Sequence, residues 1–119
     1  MKILLSLLFI FSTLVTFGDH HGKKKPLKAF MITGGCCHDY PKQKNIISEG
    51  ISERVPTKWD IFFEMDEKKS KARLNKKGWA DGYDYIVYNH CFAHEKDAKF
   101  VKSIADIHKA GKPAIALHC

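Results

Sequence analysis

"LKAFMITGGCCHDYP", residues 27–41, reads as an apolar strand that breaks at a glycine pair and re-forms as a helix. Leu27 to Thr33 is apolar enough for a buried strand, and Gly34-Gly35 interrupts it. Pro41 stands where a first helical residue is pre-organised by its fixed φ. Beyond it, Ile46, Ile47, Ile51 and Val55 fall on one helical face at near-fourfold spacing. Gly50, inside that run, lowers helix propensity, and close packing of the helix on a sheet is the expected reason for it.

Strand and helix signals alternate through the rest of the chain. "KWDIFFEM", residues 58–65, puts Trp59, Ile61, Phe63 and Met65 at alternate positions, the pattern of a strand with one better-buried face. "DEKKSKARLNKKG", residues 66–78, is so polar that it reads as a solvated loop. "YDYIVYN", residues 83–89, is β-branched and aromatic enough to be buried on both faces. Asp97 is placed to cap a second helix, along which Phe100, Val101, Ile104, Ile107 and His108 recur at helical spacing; Gly111 and Pro113 end it. "PAIALHC", residues 113–119, is a fourth strand. Strands joined by crossovers of helical length pair in parallel, with right-handed connections. The expected fold is therefore α/β, a flavodoxin-like open parallel sheet with helices on both faces. Such a sheet needs both faces covered, and nothing helical follows the fourth strand. The expectation is a domain truncated after that strand, the alternative being a complete four-stranded domain that dimerises along its open edge.

The 119 residues, 45% hydrophobic, suffice for one small domain. At the N-terminus "MKILLSLLFIFSTLVTFG" has one lysine, an apolar run from Ile3 to Phe17 and small residues at Thr16 and Gly18. This is the layout of a cleavable secretory signal over residues 1–18, and the run is shorter than the roughly 20 residues of a membrane span. Residues 19–26 then form a basic linker and residues 27–119 the folded part. Export to the periplasm or the medium is expected, with no stable membrane span after cleavage. The formal charge is +7. Its lysines cluster in "GKKKP", residues 22–26, and in residues 66–78, with no accompanying nucleic-acid motif, so no nucleic-acid partner is expected.

In an open α/β sheet, ligands bind outside the carboxyl ends of the strands, where the strand order reverses. On that edge the sequence gathers Gly34, Gly35, Cys36, Cys37, His38 and Asp39 after the first strand, Asn89, His90 and Cys91 after the third, and His118 and Cys119 after the fourth. Adjacent cysteines point apart and do not easily close an unstrained disulfide, and C-x-x-C spacing is absent, so a redox site is not expected. Small buried residues, a disulfide from Cys91 or Cys119 to one of the pair, a metal site and a nucleophile remain open. His38 beside a helix N-terminus, and His118 closing a strand, suit general bases or ligand donors. His20, His21, His94 and His108 carry no such context. Asp39 would orient His38 or cap the helix.

"FMITGGCCHDYP" before an amphipathic helix, "GYDYIVYN" and "GKPAIALHC" together resemble the ThuA-like, trehalose-utilisation family, over residues 27–119. That resemblance implies the class I glutamine amidotransferase-like fold and covers about the first half of such a domain. It places the family's first-loop histidine on His38 and its G-x-H turn on "ALHC", with Ala116 in the usual glycine position and His118 in register. The implied function is an exported protein that acts on or binds disaccharides or their keto derivatives, His38 and His118 being catalytic and Gly34, Gly35, Asp39 and Asn89 binding substrate. The alternative is a non-catalytic ligand-binding or interaction module of a larger exported protein. No cofactor is expected; zinc or another divalent metal on His38, His118 and thiolates is the competing expectation. Because Cys119 is offset one place from the elbow position, glutamine amidotransferase activity is not expected.

Overall fold

The computed structural model of the chain describes residues 25–117, so the expected signal segment 1–18, His118 and Cys119 lie outside the described residues. Four strands and three helices alternate: β1 (Leu27–Gly35), α1 (Tyr40–Ser52), β2 (Thr57–Glu64), α2 (Glu67–Leu74), β3 (Tyr85–Cys91), α3 (Ala98–Lys109) and β4 (Ala114–Ala116). All strand pairs are parallel, in the order β2-β1-β3-β4. This is the flavodoxin-like α/β arrangement that the alternation implies. Sequence order runs outward in one direction from β1 to β2 and in the other from β1 to β3 and β4.

That topology divides the helices between the faces. Phe30 and Ile32 of β1 and Ile86 of β3 share a buried cluster with Leu74 of α2, Trp79 and Ala80 of the following turn, and Phe100 of α3. Successive strand residues point to opposite faces, so Ala29, Met31 and Val87, each fully buried, face the other side, which α1 covers. The ring of Phe30 is the hub of the first cluster, 5.8 Å from that of Trp79 and 5.2 Å from that of Tyr83, with the Arg73 guanidinium 4.8 Å above it. At the amino end of the strands an apolar groove of about 410 Å³ opens between α1 and β4, lined by Leu27, Ile51, Val55, Tyr85, Pro113 and Ile115.

Several local expectations change. The lysine-rich stretch is not a loop: Glu67–Leu74 is helical, capped by the Asp66 carboxylate, which accepts from the backbone N–H groups of Lys68 and Lys69. Only Ser70 and Leu74, one turn apart, are buried there, and the Arg73 side chain lies over Phe30. Gly50 is not a close-packing glycine, since a Cβ added there would meet nothing within 4 Å. The isoleucine face of α1 is covered only in part, Ile46 being 59% exposed, and the fully buried residue of that helix is Tyr40.

β2 is an edge strand, with Lys58 and Asp60 exposed alongside half-buried Trp59 and Ile61. Phe63 and Met65, expected on the better-buried face, are exposed, while Phe62 packs on the α2–α3 cluster from the other face. At the opposite edge all three residues of β4 are exposed. Between them β3 is buried on both faces, as its composition implies.

Candidate functional site

The carboxyl ends of β1 and β3 lie side by side at the point where strand order reverses, with Gly34 opposite His90 and Gly35 opposite Cys91. β1 can end there only because both residues lack a side chain. A Cβ on Gly34 would lie 2.6 Å from the Glu64 carbonyl carbon of β2, and one on Gly35 would lie 3.1 Å from that of Cys91 in β3. Both also have positive φ, +139° and +89°. Gly34 and Gly35, expected to bind substrate, have a structural task as well: they let β1 run between two backbones to its last residue.

Beyond them the chain turns into α1. Asp39 caps that helix, its carboxylate accepting from the Lys42 N–H at 3.2 Å. Tyr40 buries its ring and donates its hydroxyl to the Cys36 carbonyl at 2.9 Å, which fixes the turn from inside. His38 is exposed, its ring edge-on to Tyr40 with centroids 5.8 Å apart. On β3, Asn89 is buried and donates to the Thr33 hydroxyl at 3.0 Å, tying the two strand ends together across the switch point. Of the four expected binding residues, three are thus committed to backbone placement or capping and one to a strand-to-strand bond. Of the two expected catalytic residues, His38 lies exposed in the loop between β1 and α1, and His118 lies outside the described residues.

The segment after β3 is held by charge. Lys71 of α2 reaches Glu95 at 2.9 Å and Asp97 at 3.1 Å and sits 5.0 Å from the centroid of Phe100. Its hydrogen bond to Glu95 raises the Lys71 pKa, and its contact lowers those of Glu95 and Asp97. Asp97 also caps α3, as its position in the sequence implies.

The cysteines depart from expectation. Cys36 and Cys37 are joined to each other in a disulfide, their Cα atoms 3.8 Å apart. The expectation that neighbouring cysteines point apart holds for ordinary backbone, but Cys37 has φ +84°, the one non-glycine residue with positive φ among the described residues. The Cys36 sulfur also stands 3.8 Å from that of Cys91, a contact between positions 55 apart in sequence. Among the described residues no three His, Cys, Asp or Glu side chains are grouped to hold a metal ion, and no helix is long and apolar enough to cross a membrane.

His90 is the group whose setting the sequence does not reveal. Strand alternation turns it to the α2–α3 face, where its ring lies 3.8 Å from that of Phe92, centroid to centroid, and neither ring nitrogen has a hydrogen-bond partner among the described residues. Burial lowers its pKa from 6.5 to about 4. The unfolded chain therefore binds a proton that the folded chain refuses between those values. The stability contributed by neutral His90 is fully present above pH 6.5 and is lost as pH falls towards 4. His90→Phe should remove this dependence: its melting temperature relative to wild type is expected to rise progressively as pH drops through that window. Parallel pH profiles for the two proteins would count against it.

No protein-family model matches the chain, and no curated protein or solved structure matches it either.

Proposed function

We propose that this chain is a ThuA-like domain of an exported protein that binds a disaccharide, or its keto derivative, in the crevice between the carboxyl ends of β1 and β3 and moves a proton on it. The observation that carries the reading is the reversal of strand order at that edge, the place where open α/β sheets take small polar ligands, with the exposed His38 in the loop that follows β1. His38 supplies the proton-transfer group, because an imidazole can give or take a proton near neutral pH. Contacts nearby fix the loop and the strand ends: Tyr40 donates to the Cys36 carbonyl, Asp39 caps α1, and Asn89 ties β3 to β1. His118 is the second candidate, supported by the resemblance of "ALHC" to the family turn. Export is supported by the apolar run Ile3 to Phe17 and by a disulfide, which persists in oxidising compartments.

Titration calorimetry of the full-length protein with trehalose, other disaccharides and their keto derivatives tests this. At least one sugar should bind, and His38→Ala should weaken it by about tenfold, the worth of one lost hydrogen bond to a polar ligand. Binding without turnover would favour the non-catalytic module. Affinity indifferent to His38→Ala, or ammonia release from glutamine that disappears with Cys119→Ala, would overturn the proposal.

A further inference from the structure

The sugar-binding reading uses the carboxyl ends of the strands. At the other end all the parallel strands begin together, and the surface there has two unlike halves. One is the apolar groove of about 410 Å³ between α1 and β4, on which Leu27, Val55 and Ile115 are exposed. The other is basic. Lys25, Lys28 and Lys58 are exposed, and none of them has an ion pair among the described residues. Leu27 borders both halves, lining the groove and also the adjoining hollow that Lys25, Pro26 and Lys28 line. Lys28 and Lys58 are register partners on neighbouring strands. Like charges set opposite one another cost stability, and an anionic surface laid across them removes that cost. The carboxylates closest in sequence are turned to other partners: Asp60 accepts from the Tyr83 hydroxyl, Asp84 from the Lys28 backbone N–H at 2.7 Å, and Glu53 meets Arg54 at 3.4 Å. The chain also enters the sheet at this end, and its sequence sets Lys23 and Lys24 directly before Lys25.

We propose that the amino end of the sheet docks on an anionic phospholipid surface, with Lys25, Lys28 and Lys58 on the headgroup phosphates and Leu27, Val55 and Ile115 at the start of the acyl chains. Two features select this partner. A soluble polyanion would be met by charge alone, whereas here the charge borders an open apolar groove, the combination that binding in a bilayer interface rewards. The lysines, five when Lys23 and Lys24 are included, also reach the number that holds a protein on anionic lipid without a span. Docking does not depend on what the crevice binds. It does orient the molecule: the carboxyl ends of β1 and β3, at the far end of the strands, point away from the lipid and into the medium, where a dissolved ligand arrives.

Sedimentation of the full-length protein with vesicles decides the matter. Vesicles of phosphatidylcholine with about one part in three phosphatidylglycerol are compared with phosphatidylcholine alone, which reports any adsorption through the apolar run Ile3 to Phe17. Wild type should bind the anionic vesicles at least about tenfold more tightly, and about 0.5 M salt should abolish most of the difference. Lys28→Gln with Lys58→Gln should weaken anionic-vesicle binding by about tenfold or more. The matched control is Lys42→Gln with Lys68→Gln, two exposed lysines at the carboxyl end of the sheet, which changes the net charge equally and should bind as wild type does. Val55→Ser with Ile115→Ser should weaken binding by about fivefold at unchanged charge. Circular dichroism checks that each variant is folded. Equal binding to both kinds of vesicle, equal losses in the two lysine pairs, or a folded Val55→Ser, Ile115→Ser chain that binds as wild type does would each overturn the proposal. So would binding to heparin that needs Lys28 and Lys58 in a protein that leaves anionic vesicles unbound, since the partner is then a soluble polyanion.

Discussion

Gly34→Ala is expected to destabilise the chain by about 3 kcal/mol or more, enough to unfold a domain of marginal stability. Two independent terms act in the same direction. The residue has φ +139°, where an L side chain is strained, and its Cβ would lie 2.6 Å from the Glu64 carbonyl carbon. The obstacle is backbone of a paired strand rather than the end of a flexible side chain, so relief requires β1 and β2 to part at their carboxyl ends. Gly50→Ala is the matched control. A Cβ in open space on α1 meets nothing, and alanine exceeds glycine in helix propensity, so this variant should gain roughly 0.5–1 kcal/mol. Urea unfolding of both variants measures the contrast. A Gly34→Ala chain within about 1 kcal/mol of wild type would mean that the strand end is not so tightly enclosed.

Phe30→Ala should cost about 3–5 kcal/mol, the range for emptying a buried aromatic site. Phe30 is fully buried in the cluster on the α2–α3 face, against Trp79 and Tyr83 by ring contact and Arg73 through its guanidinium. The neighbours cannot readily collapse into the space, because Trp79 is anchored in its own turn and Tyr83 donates its hydroxyl to the Asp60 carboxylate of β2. A midpoint shift in urea with an unchanged slope would show the loss of packing as such. A change under about 1 kcal/mol would displace Phe30 from the centre of the core.

Sequence pattern was most informative where one physical cause dominated. α3 has a side-chain cap at Asp97, an apolar stripe through Phe100, Ile104 and Ile107, and a positive-φ glycine at Gly111, and each leaves its own mark in the sequence. The strands were legible for a similar reason, since Ile86 and Val87 are buried on opposite faces and need apolar side chains. α2 escaped because its packing runs through one leucine, one serine and the side chain of an arginine, which look polar when counted as residue types. At the site, the glycine pair and the helix cap could be read, but the joining of Cys36 to Cys37 turns on a single left-handed residue that spacing rules do not foresee. His90 escaped likewise, since its burial depends on which face of β3 receives α2 and α3.

The two rims of the sheet are unequal. Lys58 and Asp60 set opposite charges along β2, a common way of discouraging a further strand from docking there. β4 carries only Ala114, Ile115 and Ala116, without charge, proline or bulge, and all three are open to solvent. Among the described residues no strand lies beyond it. Accretion onto this sheet is consequently one-sided: an added strand, from this chain or another, meets electrostatic resistance at β2 and an uncharged ribbon at β4, so the sheet has a direction in which it can be extended.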